Sequence, residues 1–311
     1  MVLEALKSMF GRRIRLPRDQ VTRVPRGVRK AVEPQVAAIQ AAIDTIAALP
    51  DLADVATTKR LPKGFFKAVQ ALSSAHDAYI AAVTQRVPAL QQAARAGTPE
   101  GQHACREQPV GVTGVEGMAI YRATRPWPDF PAVAQELARL GEQQFKDIQA
   151  LHTGKDPEKI GMNSTAVQQG RVDFARRGEP CPFLDPQAHR CRIWDERPFV
   201  CRMHHLLGDP READPRSPGY PKQVKAYNVR IPLRQQVALM QIEKRMLMNA
   251  APFLNANVLQ WLQLAEGQLL AEVGEAPLRL AADGQTAAKA NRNKPGAKKF
   301  SKEREKKRAR K

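Results

Sequence analysis

Residues 181–205 read Cys181-Pro182-Phe183-Leu184-Asp185-Pro186-Gln187-Ala188-His189-Arg190-Cys191-Arg192-Ile193-Trp194-Asp195-Glu196-Arg197-Pro198-Phe199-Val200-Cys201-Arg202-Met203-His204-His205. Three of the chain's four cysteines stand here, evenly spaced by ten. The wider stretch 178–232 holds nine prolines and shows neither a helical nor a sheet pattern. An irregular segment of that length needs something besides apolar packing to fix it. Thiolates are soft donors that favour zinc or iron–sulfur centres. A spacing of ten is not the C-x-x-C knuckle of a zinc finger, so each sulfur has to come from a separate turn. Pro182, Pro186 and Pro198 stiffen such turns in advance. Arg190, Arg192, Arg197 and Arg202 crowd the thiols, where positive charge lowers a thiol pKa and offsets part of the charge of clustered thiolates. On spacing alone, buried free thiols are the alternative.

Helical patterns flank this segment. Val36, Ile39, Ile43 and Ile46 recur at helical spacing after a start at Glu33-Pro34. A second helix is predicted from about Phe65 to Val87, with Phe65, Val69, Leu72, Tyr79, Ile80 and Val83 on its apolar face. His76 shares that face and reads as a core histidine with one satisfied hydrogen bond. Gly97-Thr98-Pro99 breaks the chain. The run Gly111-Val112-Thr113-Gly114-Val115-Glu116-Gly117 is not G-x-G-x-x-G, and reads as a turn leading into a short helix near Met118 to Ala123. Pro131 to Leu151 places Val133, Leu137, Leu140, Gln144, Ile148 and Leu151 on one stripe. Asn163-Ser164 is a cap for a further helix towards Arg177. Two more helices, around Leu233 to Met248 and Pro252 to Leu270, close the body, the second with Trp261 and Leu262 on its face. The expected fold is mainly α: a helical body with a long irregular Pro/Cys-rich metal-binding segment and basic disordered termini. Its organisation is a basic N-terminal arm (1–30), a helical region (31–97), a cysteine-cluster domain with closing helices (98–282) and a basic disordered tail (283–311).

Charge supports that division. The chain has 311 residues and a formal charge of +19. Residues 7–30 carry net +8 and residues 289–311 net +10, which leaves a body at net +1. A near-neutral body argues against a fold that is itself a basic nucleic-acid cradle. Aromatics make up 5% and apolar residues 43%, many of them alanine, which favours helices over a β-sandwich. No run of 18 apolar residues occurs, and Met1 to Phe10 lacks the pattern of a secretory signal. Four cysteines are too few for a secreted disulfide scaffold, so reduced thiols in the cytoplasm are the expectation.

Cys-Pro-Phe-Leu, then Cys-x-Ile-Trp-x-x-Arg-Pro-x-x-Cys-Arg, resembles the core of the YkgJ-type cysteine-cluster family, described as zinc- or iron-chelating. Trp194 stands where that family usually has Tyr. The family also carries an upstream Cys-x-x-Cys-Cys. Its counterpart here is Gln102-His103-Ala104-Cys105-Arg106, where Gln102 and Arg106 replace two cysteines. The resemblance implies one tetrahedral site on Cys105, Cys181, Cys191 and Cys201, holding zinc or iron, an iron–sulfur centre included. His103, His189, His204 and His205 lie near enough in sequence to substitute as ligands, although His204-His205 also reads as a solvated turn. The alternative is a member that has lost metal binding.

Three functions follow as expectations. The first is a metal-binding protein whose thiolates pin the irregular loop to the helical body. The second is an iron-dependent or protein-modifying enzyme, since some members of that family are associated with lysine methylation of flagellin. Against it, no cofactor loop, paired catalytic carboxylates or triad is visible. Asp195 and Glu196 read as a turn acceptor and a partner for Arg197. The third is a nucleic-acid or ribosome-associated protein that makes non-specific phosphate contacts through residues 289–311, where Phe300 is the lone aromatic.

Overall fold

The computed structural model describes residues 16–58, 60–151, 165–246, 250–266 and 271–275. The tail from 283 onward and the cap at Asn163-Ser164 lie outside the described residues.

The fold is mainly α. Ile39, Ile43 and Ile46 form the buried stripe of the Glu33–Ala47 helix. That stripe packs on the Phe65–Arg86 helix, which buries Phe65, Val69, Leu72, Tyr79, Ile80 and Val83. The Phe130–Ala150 helix buries Val133, Leu137, Leu140, Gln144 and Ile148, while Leu151 falls just past its end and is 39% exposed. The Thr165–Arg176 helix lies against it. Leu233–Arg245 and Leu254–Glu266 supply the closing helices. Residues from both 31–97 and 98–282 share one hydrophobic core, with Trp261 fully buried in it.

The helix expected near Met118 to Ala123 starts earlier, at Gly114. Its start is a capping box: the Glu116 backbone N–H donates to Thr113 Oγ1 at 3.2 Å, and the Thr113 N–H donates to Glu116 Oε2 at 2.8 Å. Thr-x-x-Glu was present in the sequence as that signal. Leu254–Glu266 crosses this helix at Gly117, where a Cβ would sit 1.6 Å from Asn257 Oδ1. The Asn257 oxygen already accepts from Trp261 Nε1 at 2.6 Å, so only glycine allows the approach.

Stretch 178–232 contains regular structure that its sequence conceals. An antiparallel sheet in the order β1-β2-β3 is built from Ala94–Arg95, His204–Leu207 and Lys225–Asn228, with Arg95 opposite His205 and His205 opposite Tyr227. The strands are two to four residues long, and His204, His205 and Leu206 are all buried, so no alternation marks the middle strand. His204-His205 is therefore a buried strand, not a solvated turn.

The N-terminal region also differs from an exposed arm over its described part. Leu16, Pro17 and Arg18 are buried. Asn228 Nδ2 donates to the carbonyls of Pro17 and Gln20, both at 2.8 Å, and Arg171 pairs with Asp19 at 3.1 Å. Tyr227 donates to the Arg23 carbonyl at 3.2 Å. Residues 16–24 thus form a strap across β3. Leu16 joins Ala96, Ala104, Val172, Leu206 and Tyr220 in a second, smaller core beneath it.

No single helix among the described residues is long and apolar enough to cross a membrane. The bent pair Glu33–Ala47 and Leu52–Thr58 passes on composition, but its Ile39, Ile43, Ile46, Leu52 and Val55 belong to the core.

Candidate metal centre

Four separate turns carry the four cysteines. Cys105 lies in the 3-10 helix Gln102–Arg106, and its carbonyl accepts the Cys181 N–H at 2.9 Å. Cys181 opens a turn closed by Leu184 N–H on its own carbonyl at 2.9 Å. The chain then doubles back. Leu184 bridges Cys191, Arg192 N–H donates to Phe183 O at 2.8 Å, and Asp185 Oδ1 accepts the N–H groups of Gln187 and Ala188 at 2.8 Å. His189 completes this turn in the left-handed region, at φ +54°. Cys191 N–H donates to the Gly97 carbonyl at 2.9 Å. Gly97 has φ +88°, and a Cβ there would lie 3.0 Å from Cys191 Cβ, so glycine serves both the turn and the contact. Cys201 sits in the helical turn Phe199–Arg202 that follows Pro198. Glu116 ties that turn to the capping box, because its Oε1 accepts the Phe199 N–H.

These turns bring Cys105, Cys181, Cys191 and Cys201 to the wall of one cavity of about 20 Å³, shared with Arg18, Gln108 and Arg197. That space suits one water-sized or ion-sized occupant. The cysteines are free thiols. Among the described residues, no three His, Cys, Asp or Glu side chains are gathered closely enough to hold an ion as they stand. The sulfurs share a wall without converging on a single point.

Burial dominates the electrostatics of these thiols. Burial, and then repulsion from Cys105 and Cys201, pushes the Cys191 thiol up to about 12. Burial raises Cys105 to about 11, against the pull of Arg18. Cys181 is held well above the ordinary thiol range by burial and by its neighbours Cys105 and Cys191. This reverses the expectation that local arginines lower the thiol pKa values. Burial outweighs them, and most of the arginines have other partners. Arg192 donates to both oxygens of Asp129 at 2.7 and 2.9 Å and stacks on Trp127. Arg197 bonds the Trp194 carbonyl and Asp77, and Arg202 bonds Asp77 and the carbonyls of Asp195 and Arg197. Neither the Asp195 nor the Glu196 side chain pairs with Arg197, since Asp77 on the Phe65–Arg86 helix takes that place.

The donor chemistry fits a soft ion. Four sulfurs from four turns line a space sized for one occupant, and the buried Gln108 amide beside them has neither its nitrogen nor its oxygen hydrogen-bonded. Residues 138–224 match the CxxCxxCC family model, described as "Putative zinc- or iron-chelating domain". Comparison with curated proteins and with solved structures finds no match. The CxxCxxCC match includes Cys181, Cys191 and Cys201 and stops short of Cys105 and Arg18 on its N-terminal side.

The histidines considered as substitute ligands do not line the cavity. His204 is fully buried, with Nδ1 2.7 Å from Asn228 Oδ1, and burial pushes it down to about 3. His205 Nδ1 lies 2.9 Å from the Met203 carbonyl. His103 lies 3.6 Å from Asp214, and His189 forms the exposed turn. His76 is a core residue as expected, but neither ring nitrogen has a hydrogen-bond partner. It stacks edge-on to Phe199 at 4.8 Å, and burial followed by the charges of Arg202 and Arg197 holds it neutral, at about 3. Sequence reading missed Arg18, Asp77 and Gln108. No spacing signal connects residues so distant in the chain.

Proposed function

We propose that the protein binds one zinc or iron ion through Cys105, Cys181, Cys191 and Cys201, and that the ion pins the irregular segment to the helical body. The observation that carries this reading is that all four cysteines, from four separate turns, line one cavity of about 20 Å³. The matched chelating domain supports it from an independent direction. Room for a single occupant favours a lone ion over an iron–sulfur cluster. Four protein thiolates close a tetrahedral site, which makes the ion structural. Bound there, it would tie the turns of Cys105, Cys181, Cys191 and Cys201 into one unit. Four thiolates around a divalent ion carry a formal charge of −2, and the guanidinium groups of Arg18 and Arg197 border the same cavity.

Elemental analysis of the intact chain purified without air is expected to give one zinc or iron per chain, lost in Cys191→Ser. Metal-free intact protein would overturn the reading.

A further inference from the structure

Arg18 reaches the centre from outside the matched segment, carried by the strap of residues 16–24. It is 3% exposed. Its Nη1 donates to Cys201 Sγ at 3.1 Å, its Nη2 to the Ala104 carbonyl, and its backbone N–H to Glu107 Oε1 at 2.9 Å. One buried side chain therefore touches a candidate ligand sulfur and the carbonyl of the residue before another. Its own position is fixed by β3, since Asn228 holds the carbonyls on either side of it, those of Pro17 and Gln20. The arginines of the cysteine segment do not do this work: Arg192 is taken up by Asp129, and Arg197 and Arg202 by Asp77 and backbone carbonyls.

A buried guanidinium needs anionic partners. Glu107 is a single carboxylate, and its Oε1 already accepts the Arg18 backbone N–H. The guanidinium's other potentially anionic contact is Cys201 Sγ, which becomes a thiolate when an ion is bound.

We propose that Arg18 is a positioning residue of the metal centre: its guanidinium hydrogen-bonds Cys201 and supplies charge that compensates the four-sulfur site. The inference rests on the metal-binding reading above. It makes the strap, which lies outside the chelating domain, a functional part of the centre. Outer partners of metal ligands set affinity by about 10- to 100-fold.

The test compares zinc affinity of the reduced, metal-free full chain with that of Arg18→Gln and Arg18→Lys, by competition with a chromophoric chelator. Circular dichroism confirms that each is folded. Arg18→Gln is expected to bind about 10- to 100-fold more weakly, and Arg18→Lys, which keeps the charge, to stay within about 10-fold of the parent. Equal affinity of Arg18→Gln and the parent would overturn the proposal. So would a loss in Arg18→Lys greater than about 10-fold, and that comparison stands even if Arg18→Gln does not fold. A parent chain that takes up no zinc would instead refute the metal reading itself.

Discussion

Serine at any one of positions 105, 181, 191 or 201 lowers zinc affinity by more than about 100-fold, beyond the range of outer-partner substitutions. A hydroxyl is a harder donor than a thiolate and stays protonated at neutral pH, so it cannot replace the missing ligand. The effect should be of similar size at all four positions, because all four sulfurs border the same cavity. Cys105→Ser is the sharpest member of the series, since Cys105 lies outside the matched residues 138–224. A Cys105→Ser protein with parental affinity would mean a three-thiol site that does not need the 3-10 helix Gln102–Arg106. Thermal unfolding with and without chelator gives a second readout. The chelator should lower the melting temperature of the parent, because an ion that binds only the native state stabilises it. It should leave the serine variants unchanged.

Arg202→Met destabilises the metal-free chain by about 1–3 kcal/mol, the range for leaving buried acceptors unpaired, because its ionic partner Asp77 is 38% exposed and solvent screens that pair. Arg202 is 1% exposed, and its Nε donates to the Arg197 carbonyl at 2.7 Å while its two Nη groups serve Asp77 and the Asp195 carbonyl. Methionine fills much of the volume but leaves both carbonyls without that donor. One term runs the other way. Burial, and then the charge of Arg202, depresses the Arg197 pKa to about 10, so neutralising position 202 relieves repulsion and moves the loss toward the lower end. Arg202→Lys restores the charge but not the planar fork that reaches three acceptors. It should recover only part of the loss. Denaturant unfolding of metal-free protein measures both variants separately from any effect on metal. Arg202 braces the turns that carry Cys191 and Cys201, so loss of stability without loss of zinc affinity would separate its structural role from the centre.

Helices with a clear apolar stripe were legible from sequence. Ile39, Ile43 and Ile46 marked one, and Val133, Leu137 and Leu140 another, because a 3.6-residue period survives in the residues themselves. The sheet was not legible. His204-His205-Leu206 is buried throughout, and its partners Ala94–Arg95 and Lys225–Asn228 are too short to show a pattern. All four cysteines at the cavity were named from sequence, and the resemblance brought in Cys105. The electrostatics were misread for a definite reason. Density of arginines along the chain suggested charge at the thiols, whereas Arg192 turns to Asp129 and the guanidinium on Cys201 is that of Arg18. Proximity in sequence is a poor guide to proximity in an irregular loop. The strap shows the same limit: Arg18 looked like one more charge of a basic arm, and Asn228, which holds the strap at Pro17, lies 211 residues from Pro17 along the chain.

X-ray absorption at the metal edge tests the central claim most directly. For the zinc-loaded intact chain, the account predicts a single shell of four sulfurs at about 2.3 Å. A shell dominated by nitrogen or oxygen, or a metal–metal scattering path, would contradict a single ion held by Cys105, Cys181, Cys191 and Cys201.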